Sequence, residues 1–85
     1  HWVVAFFPHP LQNAEYFDSY GQPCRNPVLQ RFLCRGSSTG QYRRSNLRLQ
    51  GSLSAVCGHY CLTYIFCRVH GMSMEDYLGL FQALG

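Results

Sequence analysis

Residues 54–69 read SAVCGHYCLTYIFCRV, and this stretch decides the fold. Ser54 is a good N-cap, because a hydroxyl there accepts from an orphan N–H of the first turn. From Ala55 onward the side chains are apolar nearly all the way round, and Gly71 stands where a left-handed residue closes a helix. The spacing predicts a helix over 55–69, buried in the middle of a domain, with the other elements arranged around it.

Working outward, Ser73 followed by Glu75 and Asp76 predicts the start of a last, amphipathic helix with Tyr77, Leu78 and Phe81 on its apolar side. At the other end, HWVVAFF over residues 1–7 is a continuous β-branched and aromatic run, expected of a strand covered on both faces. It stops at Pro8 and Pro10. EYFDS, residues 15–19, reads as a second strand closed by the turn Ser19-Tyr20-Gly21, so the two together predict a β-hairpin. VLQRFLCR, from Val28, sets Val28, Leu29, Phe32 and Leu33 on one helical face. After a Gly/Ser/Thr loop at 36–40, Leu47 and Leu49 alternate with Asn46, Arg48 and Gln50, which predicts a short strand ending at Gln50. The sum is one α+β domain over residues 1–85: a small mixed sheet packed on a buried central helix.

The 85 residues of the chain allow one small domain, and a domain of that size buries only roughly 60 to 65% of its unfolded surface. At 47% hydrophobic the composition is too apolar for disorder, and no run approaches the roughly 18 apolar residues of a membrane span. With no initiator Met and no basic or apolar leader ahead of His1, the chain reads as an N-terminally truncated excerpt. Net charge is +3 and every basic side chain is arginine, compatible with weak DNA contact but equally with a solvated surface. Five cysteines is an odd count, and Cys57, Cys61 and Cys67 fall inside the apolar helix; this favours a reducing compartment and at least one free thiol.

Cys57 falls in the first turn of the expected helix, where unpaired N–H groups and the positive dipole end favour a thiolate. Gly58 after it leaves room for a substrate backbone. His1 opens a buried strand, where imidazole has no packing advantage over valine, and Asp18 lies at the end of the neighbouring strand. The hairpin would place the two at one rim of the sheet, in the order nucleophile, base and orienter. Gln50, seven residues before Cys57, is positioned to donate to an oxyanion. Each has an ordinary alternative: a core cysteine, a satisfied core histidine, a turn-capping aspartate and an exposed glutamine.

His1-Trp2, Phe17-Asp18-Ser19-Tyr20-Gly21, Gln50 and Ser54-Ala55-Val56-Cys57-Gly58-His59-Tyr60-Cys61 resemble the ordered motifs of the adenovirus-protease and ubiquitin-like-protein (SUMO) protease superfamily of cysteine peptidases. The similarity is strongest to proteases of Polinton (Maverick) elements and adenovirus-like viruses. It implies an adenain-like, papain-like peptidase core of intracellular location, in nucleus or virion, that cleaves viral or element-encoded precursor proteins. Carried over, His1, Asp18 and Cys57 are the triad, Gln50 is the oxyanion donor, and Trp2 packs beside the imidazole; no cofactor or metal is called for. Such enzymes carry a helical portion ahead of the histidine that these residues lack.

Three other readings stand beside it. One is a deconjugase acting on a ubiquitin-like protein, and another is an inactive relic kept as an interaction module. The third is a zinc-binding module drawing on Cys24, Cys34, Cys57, His59, Cys61 and His70, of which Cys57 and Cys61 have the i, i+4 spacing of one helical face.

Overall fold

Glu15, Tyr16 and Phe17 form the strand around which the chain is built. The computed structural model describes residues 1–8, 12–49 and 57–84. Among them run β1 (Val4–Phe6), β2 (Glu15–Phe17), α1 (Pro27–Arg35), β3 (Arg43–Arg44), α2 (Cys57–Val69) and α3 (Met74–Leu84). β2 is central: β1 pairs with it antiparallel, Val4 opposite Phe17, and β3 pairs with it parallel, Glu15 opposite Arg43. The result is a small α+β protein with a three-stranded mixed sheet. Its radius of gyration, 12.6 Å, is close to the roughly 12 Å expected of a folded chain this long.

Alternation along β2 divides the core in two. Phe17 faces α2 and α3, packing with Val4, Cys61, Tyr64, Met74 and Tyr77. Tyr16 faces the other way, with Ala14, Cys24 and Leu33 of α1. The strand covered on both faces is therefore β2, whose three residues are all buried, and not residues 1–7. In β1 Val4 is buried while Ala5 is exposed, because an edge strand here meets helices on one side only. The hairpin itself forms as expected.

Aromatic packing joins the helices to the sheet. The Phe17 and Tyr64 rings stack at 4.5 Å, and Tyr77 meets both edge-on at 5.6 and 5.2 Å. Such pairs are worth about 0.5–1.5 kcal/mol each beyond their burial. Burial also pushes the Tyr64 and Tyr77 phenols well above their ordinary value, so both enter the core neutral. The Tyr77 hydroxyl donates to the Tyr60 carbonyl at 2.9 Å, fastening α3 to α2.

The helix ends follow from local chemistry. Asn26 caps α1, its Oδ1 accepting from Val28 and Leu29 N–H at 2.9 and 3.2 Å, with Pro27 in the first turn. Only Leu33 of α1 is buried, so Val28 and Phe32, expected on the inner face, are exposed. Gly71, at φ +93°, closes α2 while the Met72 N–H donates to the Cys67 carbonyl at 2.9 Å. Ser73 Oγ accepts from Asp76 N–H at 3.1 Å and starts α3.

Two expectations are corrected. The strand lies at Arg43–Arg44 and not over the described residues 46–49, because the parallel ladder with β2 ends at Tyr16↔Arg44 and the chain then turns to bond elsewhere. The helix α2 is not buried all round: Cys57, Cys61 and Tyr64 face the core, whereas Leu62, Ile65, Phe66 and Val69 are exposed. Three short strands cover one side of a helix and no more. Ser54, its expected cap, and Ala55 lie outside the described residues.

Candidate active site

The chain bends immediately after β2, and that bend builds the site. Asp18 is buried, and its position is set on every side. Its N–H donates to Ser45 Oγ at 3.0 Å, while that hydroxyl donates to the Asp18 carbonyl at 3.3 Å. Gly21 N–H donates to the same carbonyl at 2.8 Å, and Tyr20 N–H donates to Asp18 Oδ1 at 2.9 Å. Gly21 sits at φ +71°, and a Cβ there would lie 2.9 Å from the Leu47 carbonyl carbon. Glycine is required twice over, by conformation and by space.

His1 reaches this carboxylate from just ahead of β1. Its Nε2–H donates to Asp18 Oδ1 at 2.8 Å, which fixes the tautomer and leaves Nδ1 as the basic nitrogen of the neutral ring. Tyr20 packs against the imidazole with ring centroids 4.6 Å apart, and Arg48 lies over Tyr20, its guanidinium carbon 5.7 Å from the ring centre. The next residue, Trp2, donates its backbone N–H to Cys57 Sγ at 3.3 Å. Its indole lies over Gly58, where a Cβ would come within 3.8 Å of the ring.

The antiparallel pairing of β1 with β2 thus brings His1 to Asp18, and the packing of α2 on the sheet brings the Cys57 sulfur to the adjoining peptide. Cys57 is the first residue of α2 and is 9% exposed. The sulfur accepts the Trp2 N–H and sits in the first turn of α2. At Cys61, one turn on, burial above all, with Cys57 and Asp18 nearby, pushes the thiol up to about 11.

No family model, curated protein or solved structure matches the chain.

Gln50 lies outside the described residues. Its neighbour Leu49 is held from two sides, N–H to the Ser19 carbonyl at 2.7 Å and carbonyl to the Tyr60 hydroxyl at 3.2 Å. The set proposed for zinc does not converge: among the described residues no three His, Cys, Asp or Glu side chains are grouped to hold a metal, and the five cysteines are free. Also among the described residues, no helix is long and apolar enough to cross a membrane.

Sequence reasoning missed Ser45, Tyr60 and the pair Glu15 and Arg68. Ser45 is completely buried yet stands in a polar stretch with no periodic signal. Glu15 is buried on the inner face of β2, where it accepts from Arg68 Nε and Nη2 at 2.8 Å each and from the Tyr64 hydroxyl. A lone glutamate opening a strand and an arginine near a helix end carry no mark that they meet.

Proposed function

We propose that this chain is the catalytic portion of a cysteine endopeptidase of the adenovirus-protease and ubiquitin-like-protein protease type, acting by acyl transfer. What carries the reading is one juxtaposition: His1 Nε2 bonded to Asp18 Oδ1 at 2.8 Å while the adjacent Trp2 N–H meets Cys57 Sγ at 3.3 Å. The Cys57 thiolate attacks the scissile carbonyl and forms a C–S bond. The oxyanion is held by Gln50 and the Cys57 backbone N–H, a role in which one donor typically contributes about 2.7–4 kcal/mol. The His1 imidazolium gives its Nδ1 proton to the leaving amine, and Asp18 stabilises the ring while it is charged. Water, deprotonated by His1, then attacks the thioester and releases the acid and the free thiol.

The substrate class is a polypeptide, in the first place a viral or mobile-element precursor processed inside a cell or virion. The motifs quoted for the resemblance support that narrower assignment. The experiment is the alkylation rate of each cysteine by iodoacetamide against pH, read by peptide mass mapping. Cys57 is expected to react fast well below pH ~8.5, the ordinary thiol value, and to lose that advantage in His1→Ala. A Cys57 as inert as Cys61 in the wild-type chain would sink the reading.

A further inference from the structure

We propose that the outward face of α1 is a docking surface for an acidic polypeptide segment that carries one bulky apolar side chain. The proposal does not rest on the peptidase reading. α1 packs on the Tyr16 side of the sheet, whereas α2, which carries Cys57, packs on the Phe17 side.

At about 100° per residue, Val28, Arg31, Phe32 and Arg35 fall within one arc of α1 roughly 100° wide, turned away from the buried Leu33. All four are exposed, Val28 at 66% and Phe32 at 60%. They form two parallel rows: Arg31 and Arg35, one turn apart, along one edge of the arc, and Val28 and Phe32, one turn apart, along the other. Gly36 is next in the apolar row, and its place is filled by Phe7, because a Cβ at Gly36 would run into the Phe7 ring. Gly36 has an ordinary φ of −81°, so space and not conformation calls for glycine there. The Phe7 ring, 41% exposed, meets Phe32 edge-on at 5.2 Å and 81°. Two rings held at right angles beside Val28 make a preset angular recess, suited to a branched or aromatic side chain.

Charge selects what lies along the other row. Residues 19–74 contain seven arginines and no Asp or Glu, and planar guanidinium groups grip carboxylates bidentately. A partner that matches both rows is an acidic segment whose apolar side chain enters the recess while its carboxylates meet Arg31 and Arg35. A second copy of the chain fits poorly, since with a net charge of +3 it brings the same excess of cations. Single-stranded nucleic acid also fits poorly: successive bases stack on aromatic faces, and rings at 81° offer no continuous stack.

The test is fluorescence anisotropy of the chain with three labelled peptides: a Glu-rich peptide with one central leucine, the same peptide with glycine for that leucine, and a Lys-rich counterpart that keeps the leucine. The acidic leucine peptide should bind tightest. Arg31→Glu/Arg35→Glu should weaken it about fivefold or more, as two exposed charge pairs lost and reversed imply. Phe32→Ser should weaken it by about as much through the apolar row, and Gly36→Ala, which displaces the Phe7 ring and changes no charge, should weaken it too. The double reversal and Phe32→Ser alter exposed side chains only, so both should keep the wild-type urea midpoint, which separates lost binding from lost fold. The proposal is overturned by failure of the acidic leucine peptide to bind at millimolar concentration, by equal binding of the glycine or lysine peptide, or by binding that survives both the arginine and the phenylalanine changes. Tighter binding of a single-stranded oligonucleotide or of phosphatidylserine vesicles overturns it as well. So does a concentration-dependent dimer in sedimentation that Phe32→Ser disperses, which gives the face to a second copy. Every readout is binding and not catalysis, so the proposal stands or falls apart from the reactivity of Cys57.

Discussion

Arg68 grips Glu15 through both carboxylate oxygens, Nε to Oε1 and Nη2 to Oε2, each at 2.8 Å, and so ties the end of α2 to the central strand. The pair is largely out of water, with side-chain exposures of 13% and 3%. Its guanidinium also lies 5.0 Å from the centre of the Phe6 ring and donates to the Met72 carbonyl. Removing one partner strands the other: Arg68→Met should cost about 3–5 kcal/mol, a large share of a small domain's stability. Urea denaturation checks this, and the double change Glu15→Gln/Arg68→Met should cost clearly less than the two single changes added together.

Two of the glycines at positive φ should respond unequally to alanine. Gly21 and Gly71 both have positive φ, but a Cβ at Gly71 meets nothing within 4 Å, whereas at Gly21 it meets backbone at 2.9 Å. Gly71→Ala should cost about 1 kcal/mol from conformation alone. Gly21→Ala should exceed it, and because this turn positions Asp18, it should also slow Cys57 alkylation near neutral pH. Equal stability loss with unchanged alkylation would count against a role for the turn in the site.

Asp18→Asn tests the orienter. An amide still accepts from the Tyr20 N–H, so the fold should survive, but it neither fixes the tautomer nor balances the imidazolium. Activity should fall by one to several orders of magnitude, the upper bound being the ~10⁴ lost when a triad aspartate becomes asparagine. Unaltered kinetics would remove Asp18 from the triad.

The two cysteines at the start of α2 should separate cleanly. Cys57→Ser should abolish turnover with little change in the urea midpoint, while Cys61→Ser should act mainly on packing. Burial pushes the Cys61 thiol on folding from the ordinary ~8.5 up to about 11. Between those values the unfolded chain has released this proton and the folded chain keeps it, so stability falls as pH rises through that window. Urea midpoints taken at about pH 8 and pH 10.5 should diverge more in the wild type than in Cys61→Ser.

Periodicity and punctuation made much of this legible in advance. The hairpin, the helix cap at Ser73, the close of α2 at Gly71 and the adjacency of His1 and Asp18 all depend on residues close in sequence or joined by one short turn. The misreadings have a common cause. An apolar run marks burial without saying which strand will be central, and the parallel ladder with Arg43–Arg44 gave that place to β2. The apolar perimeter of α2 likewise says nothing of how much sheet there is to cover it; Leu62 and Phe66 remain exposed because the described strands reach only one side.

By itself, then, the sequence determined the local elements and the residue types at the candidate site, since side-chain period, capping and turn chemistry are short-range effects. Only the tertiary structure decided that Ser45 would hold Asp18, that the Trp2 N–H would meet Cys57, and that Glu15 would be gripped by Arg68 across 53 residues. Those contacts are set by how sheet and helices pack, and a polar side chain carries no pattern that names its distant partner.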